Sequence, residues 1–309
     1  MRKIPIIVVS GPTASGKTGL AIKLAKEFNA EIISADSMQI YREMNIGTAK
    51  PTKAEMDGIV HHMIDIIEPS DSFSVADFVS RAREIADGII SRGKNVIIAG
   101  GTGLYIDSFL KDIDFDEEEN TSVRDELQKI FKTHGIEPIL EELKMVDKVS
   151  YERLHPNNTK RILRAVEFFR LHDMPISEYQ ENTKKKESRY LSLNFLIDHE
   201  RAVLRDRIAK RVDIMMDMGL LVEARMLWEK KDTLSETAKM AIGYKELFTY
   251  FDGESTLEDA VDCLKTRTMQ YAKRQMTWFR RNKDIHFLNP DTAYEDAKRL
   301  TEEFLNKFN

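Results

Sequence analysis

One cysteine, Cys263, in 309 residues excludes an intramolecular disulfide and leaves too few thiolates for a cysteine-based zinc site or an iron–sulfur cluster. A reducing, cytoplasmic setting fits that scarcity. Positive charge is not in excess either: the formal net charge is −5, so any nucleic-acid role must come from local clustering of basic residues. Long hydrophobic runs are also missing. The apolar stretch Ile4-Pro5-Ile6-Ile7-Val8-Val9 is too short for a secretion signal, and nothing approaches the roughly 18 apolar residues that span a bilayer, so no membrane role is expected. Repeats and low-complexity segments are absent. What is present, 42% apolar and 32% charged residues, suffices for a sizeable buried core.

Apolar runs of strand length lie at 4–10, 31–36, 62–67 and 95–100, separated by stretches long enough for helical crossovers. Helical spacing at 16–28 and 74–92 supplies two of those crossovers. Such alternation predicts an α/β fold, a parallel sheet with helices on both faces. The acidic run at 112–119 reads as a solvated linker and marks a domain boundary. Residues 116–187 then read as an all-helical insertion, with 1–115 and 188–309 forming the catalytic core. Within the second part, 190–197 and 284–288 read as strands and 201–218, 220–230 and 257–282 as long helices. An amphipathic tail helix at 292–308 is expected to pack onto the core.

Gly11-Pro12-Thr13-Ala14-Ser15-Gly16-Lys17-Thr18 matches the phosphate-loop pattern Gly-x-x-x-x-Gly-Lys-Ser/Thr and sits between a predicted strand and a predicted helix. The glycines let the backbone wrap an anion, successive amides and the helix N-terminus donate to it, Lys17 adds charge, and Thr18 can ligate magnesium. A di- or triphosphate site on a P-loop kinase-like core follows. Which group leaves with the phosphates does not, since kinases, hydrolases and other transferases share such a cradle.

Ligands of open parallel sheets bind beyond the carboxyl ends of the strands, where Asp36-Ser37-Met38-Gln39 and Gly100-Gly101-Thr102-Gly103 are expected. Asp36 suits a general base, a magnesium ligand or a helix cap, and Thr102 a phosphate donor or an N-cap. No Walker-B sequence is evident. The nearest fragment is Met63-Ile64-Asp65, which counts against a hydrolase.

Basic residues do cluster. Between Lys265 and Lys283 lie seven, with no acidic residue, interleaved with Tyr271, Trp278 and Phe279. One helix face there can track a phosphate backbone, while the aromatics suit core packing. In the insertion, Pro156 precedes a helix with Ile162, Val166 and Phe169 on one face and Lys160, Arg161 and Arg164 largely on others. Arg207 and Arg211 belong to a helix that could reach the phosphates. A polyanionic second substrate accounts for these features better than a small one, although a nucleotide or small-molecule kinase remains the alternative.

These motifs together resemble the tRNA dimethylallyltransferase family, of bacterial type, for no zinc finger of the eukaryotic kind is seen. The likeness runs through the phosphate loop, Asp36 to Arg42, Ile46 to Pro51, Gly100 to Tyr105, His155 to Asn158 with Lys160 to Ala165, Ala241 to Lys245, and Lys273 to Arg280. One departure is Arg42-Glu43-Met44-Asn45, where arginine-glycine-methionine-aspartate is commoner. The resemblance implies transfer of a dimethylallyl group from dimethylallyl diphosphate to the exocyclic amine of an adenosine beside the anticodon. It implies Asp36 as proton acceptor, and Lys17, Thr102, Arg211 and a magnesium ion held partly by Thr18 around the departing diphosphate. It further implies tRNA contacts at Asp36, Ser37, Met38, Gln39, Thr102, Arg124, Lys160, Arg161, Ile162, Leu163, Arg164, Gly243, Lys245, Lys273, Arg274, Gln275, Trp278 and Arg280. A monomer binding the tRNA anticodon stem-loop is expected.

Overall fold

The computed structural model describes residues 3–111, 121–185 and 187–308, so the acidic run at 112–119 and the boundary placed within it, between 115 and 116, lie outside the described residues. Strands β1 (Ile4–Ser10), β2 (Ala30–Ala35), β3 (His61–His62), β4 (Asn95–Gly100), β5 (Tyr190–Ile197) and β6 (Ile285–Leu288) form one sheet in the order β3-β2-β4-β1-β5-β6. Every pairing is parallel. The near-continuous apolar character of β1, β2 and β4 follows, because a parallel sheet is covered on both faces.

The crossovers are α1 (Lys17–Glu27), α2 (Lys53–Met56), α3 (Val75–Ser91) and α4 (Gly103–Leu110). After them come α5 (Thr121–His134), α6 (Glu137–Val146), α7 (Lys148–Arg153), α8 (Thr159–His172) and α9 (Ile176–Lys185). The remaining helices are α10 (Arg201–Asp217), α11 (Leu220–Glu229), α12 (Glu236–Lys239), α13 (Lys245–Phe251), α14 (Leu257–Phe279) and α15 (Ala293–Leu305). Two compact units result, Met1–Asp112 with Arg189–Asn309, and Ile113–Ser188.

In the first unit, α1 and α15 bury Leu20, Leu24, Ala25, Ala297 and Phe304 against Ile7, Val9, Ile97 and Phe195 on one face of the sheet. The other face is covered by α3 and α4. Phe78 of α3 stacks on Tyr105 of α4 with ring centroids 4.3 Å apart, and Phe109 of α4 stacks on Tyr190 of β5 at 4.5 Å. The tail helix joins this core, as its apolar spacing predicts.

The strand expected at 62–67 is a correction. Only His61–His62 pair with β2, because Met63 and Asp65 take φ of 63° and 55°, left-handed conformations that break a ladder. Beyond them the chain pairs only with the segment that follows β2, through an isolated bridge between Ile67 and Tyr41 outside the sheet. Asp65, the acidic end of the nearest Walker-B fragment, turns to Lys50 instead.

The second unit has its own core, with Leu127, Ile139, Leu143, Ile162, Ala165 and Val166 all buried. Buried Asp147 accepts hydrogen bonds from the backbone N–H of Ser150 (2.9 Å) and Ser177 (3.0 Å) and from both hydroxyls (2.7 Å each). Burial would raise its pKa, but these four donors hold it below the ordinary carboxylate value. One side chain thus anchors the starts of α7 and α9.

Leu24 is fully buried at the centre of the first unit. Leu24→Ala is expected to lower stability by about 2–5 kcal/mol, read as a lower urea midpoint at unchanged slope.

Candidate active site

The chain leaves β1 at Ser10 and turns through 11–16 into α1, with Ala14 at φ 63° and Gly16 at φ 92°. Gly16 is the N-cap and places no side chain on the first helical amides, which are left to an external acceptor. The loop's carbonyls are held elsewhere. Lys17 Nζ donates to Pro12 O (3.2 Å), Arg207 Nε donates to Ala14 O (2.7 Å), and His199 Nε2 lies 2.8 Å from Ser15 O. Thr13 N–H donates to Gln275 Oε1 (3.1 Å), which fixes the rim of the loop to α14. The result is a loop whose carbonyls at Pro12, Ala14 and Ser15 are each already partnered, beside the free amides of the helix start.

A cavity of about 600 Å³ opens over this loop, lined also by Asp36 to Gln39 after β2, Gly100 at the end of β4, Arg207 and Arg211 on α10, and Tyr271 and Arg274 on α14. Burial drives the Lys17 ammonium down to about 8, with Asp36 opposing and Arg211 adding to the shift. Burial likewise lowers Arg211, again with Asp36 opposing. Two buried polar atoms here, Arg211 Nε and Ser15 Oγ, have no hydrogen-bond partner. Buried donors without acceptors are costly, so this pair fits an anionic ligand.

Asp36 faces that cationic pair. Its Oδ1 accepts from Met38 N–H (2.9 Å) and Gln39 N–H (3.4 Å), while Oδ2 has no donor among the described residues. Thr102 Oγ1 accepts from Ser37 N–H (3.1 Å). Beside it Tyr271 is pushed up to about 12, first by burial and then by the charge of Asp36. A fixed carboxylate with one free oxygen thus stands across the cavity from a phosphate cradle.

The family model for IPP transferase matches residues 39–282. The chain belongs to this family. It is 45% identical over 299 residues to a tRNA dimethylallyltransferase of Lachnoclostridium phytofermentans, covering 96% of each chain. With the Bacillus subtilis enzyme of the same name it shares 46% identity over 284 residues, 92% of this chain and 90% of that one. A solved tRNA delta(2)-isopentenylpyrophosphate transferase from Staphylococcus epidermidis superposes with a TM-score of 0.71 at 42% identity, over 99% of this chain and 100% of that chain. A eukaryotic dimethylallyltransferase solved while acting on tRNA reaches 0.85 at 28% identity, over 98% of this chain and 80% of that one. The P-loop kinase-like sheet with helices is therefore the fold of the family.

Within this IPP transferase frame the expected residues fall into groups. Thr13 to Thr18, Asp36 to Gln39, Arg211, Gly243, Lys245, Arg274 and Gln275 line this same cavity, and Thr102 adjoins it through Ser37. Gly11 and Pro12 form the buried base of the loop. Gln275 and Trp278 spend their polar atoms inside the protein. Gln275 also donates to Gly101 O (3.0 Å), and Trp278 Nε1 donates to Asp107 Oδ2 (3.1 Å). The indole lies so close to Gly103 that a Cβ there would come within 2.3 Å of it. Lys273 and Arg280 are exposed on α14 and its end, Arg280 lying 3.5 Å from Asp198.

In the insertion, Lys160 and Arg161 are exposed, and Leu163 packs against the core. Ile162 is 0% exposed, so its side chain is closed to RNA, a correction to its place among the contacts. Arg124 and Arg164 both bind the nearly buried Glu167, at 3.0 and 3.1 Å. Glu43 takes φ 61° and accepts from Lys230 Nζ (3.0 Å), which explains why glycine is the commoner residue there and how glutamate is held. His199 and Glu223 escaped the sequence reading, because a lone histidine or a helical glutamate carries no local signal.

Lys17 offers a test. Its folded pKa of about 8 lies below the ordinary 10.5, so the unfolded chain holds the proton more tightly between those values. The penalty is full below pH 8 and fades as pH rises to 10.5. Lys17→Met is expected to raise the thermal midpoint at pH 7, with the gain vanishing above about pH 10.5, while binding of inorganic diphosphate, read by calorimetry, is lost.

Proposed function

We propose that the protein transfers a dimethylallyl group from dimethylallyl diphosphate to the exocyclic amine of the adenosine beside the anticodon of tRNA, releasing diphosphate. The observation that carries this reading is a cavity in which a phosphate cradle, with Arg211 Nε and Ser15 Oγ unpartnered, faces a carboxylate with one open oxygen. The names of its 42–50% identical relatives support it. A bond forms between the amine nitrogen and the allylic carbon, the carbon–oxygen bond to diphosphate breaks, and the amine proton goes to Asp36. That amine is a weak nucleophile because its lone pair is delocalised into the ring, so proton removal during attack lowers the barrier.

Negative charge grows on the departing diphosphate, where the loop amides, Lys17, Arg211 and the adjoining Thr102 stabilise it. Among the described residues no cluster of three or more metal-binding side chains exists, so an all-protein metal cage is not what this site provides. The Thr18 hydroxyl on the cavity wall fits magnesium, which usually keeps waters and takes few protein ligands beside substrate phosphates. When bound, magnesium supplies further charge neutralisation on the diphosphate.

Lys160, Arg161 and Arg164 of the insertion, with Arg124, and Lys273, Arg274 and Arg280 of the core supply basic groups for the tRNA. The reading includes a cytoplasmic setting, supported by the lone Cys263, and a monomer. No described helix is long and apolar enough to cross a membrane.

Incubation with dimethylallyl diphosphate and unmodified tRNA, read by mass spectrometry, is expected to add one five-carbon unit to the target base. Phosphate transfer from ATP to a small acceptor without prenylation overturns the proposal. Asp36→Ala is expected to cut kcat by about 10²–10⁴-fold while tRNA binding persists, and unchanged turnover excludes Asp36 as the base. Neutral replacements of Lys273 and Arg280 are expected to flatten the salt dependence of tRNA binding by about 0.7–0.9 log units per lost phosphate contact, measured by filter binding.

A further inference from the structure

The Glu223 carboxylate of α11 accepts from the backbone N–H groups of Asn45 (3.0 Å), Ile46 (2.9 and 3.0 Å to its two oxygens) and Gly47 (3.0 Å), and from the Tyr244 hydroxyl (2.7 Å). Three successive amides converging on one anion form a backbone nest. Tyr244 is fully buried, and its ring lies under Gly47 so closely that a Cβ there would come within 2.5 Å of it. Gly243, at φ 109°, packs on the Gly47 carbonyl. One carboxylate therefore holds both segments, 45–47 directly and 243–244 through the phenol.

Both segments border the cavity, through Gly47, Thr48, Ala49 and Gly243. The wall they make is tied to β2, the strand that ends just before Asp36, because Gln39 Nε2 donates to Thr48 O and Ala49 O (3.3 Å each) and Gln39 Oε1 accepts from Ser34 Oγ (3.1 Å). None of the Glu223 bonds reaches the phosphate loop, which has its own supports in Arg207, His199 and Gln275. We propose that Glu223 is a positioning residue for the acceptor, holding these two segments as a preformed wall against which the target base is seated beside Asp36. Preorganisation of this kind lowers the ordering cost of binding the base. The inference rests on the transferase reading above and adds to it a residue that touches neither substrate.

The test compares wild type, Glu223→Gln and Tyr244→Phe in initial rates with dimethylallyl diphosphate and an anticodon stem-loop RNA, together with calorimetric binding of inorganic diphosphate. Glu223→Gln turns an NH₂ toward the nest and is expected to raise KM for the RNA about tenfold. Tyr244→Phe keeps the nest and loses one donor, and about threefold is expected. KM for dimethylallyl diphosphate and the diphosphate affinity should stay within about twofold in both. An unchanged RNA KM overturns the proposal, as does a loss of diphosphate affinity by the same factor, which marks general loosening. Should Glu223→Gln fail to fold, Tyr244→Phe carries the same two outcomes. A wild-type protein that prenylates nothing sinks the transferase reading itself, whereas an active wild type matched by both variants sinks only the role of Glu223.

Discussion

Holding a positive charge in a buried cradle is the constraint on which the rest of this structure depends. Lys17 is desolvated enough to lose much of its basicity, Arg211 adds a like charge beside it, and the opposite charge acting on both is Asp36 across the cavity, with Glu55 also opposing at Arg211. In the free protein that arrangement is unfavourable. On the proposed reading a bound diphosphate would offset it by supplying acceptors to Arg211 Nε and Ser15 Oγ.

The scaffold keeps this arrangement from relaxing. Arg207 and His199 bind the Ala14 and Ser15 carbonyls, which keeps those loop acceptors from turning to Arg211, while Lys17 is held by Pro12 O. Gln275 reaches from α14 to both the Thr13 amide and the Gly101 carbonyl, which locks the phosphate loop to the end of β4. Long-range contacts from the C-terminal helices thus do for the backbone what the glycines permit. Asp36 is treated the same way, with one oxygen fixed by two amides and the other left open.

The wall opposite obeys a related rule. Glu223 is an anion satisfied by backbone amides, the mirror image of a phosphate loop, and it sets segments that have no regular secondary structure of their own. Loops lining a reactive cavity gain definition from such side-chain anchors because they cannot gain it from a ladder.

The sequence by itself determined the alternation of β1, β2, β4 and β5 with helices, because strand and helix periods are local, and it determined the phosphate loop and Asp36, because glycine spacing and strand ends are local too. The strand at 62–67 misled for the same reason: its apolar pattern was right for a ladder, and only the left-handed turns at Met63 and Asp65 broke it. Ile162 could be assigned to an apolar face but not ruled out as a contact until the insertion core closed around it. Trp278 and Gln275 lie in a basic stretch, yet what they bind comes from residues more than 150 positions away in the chain. Only the tertiary structure decided which buried groups were left without partners and which carboxylate gripped which loop, since hydrogen bonds across such distances leave no periodic trace in the chain.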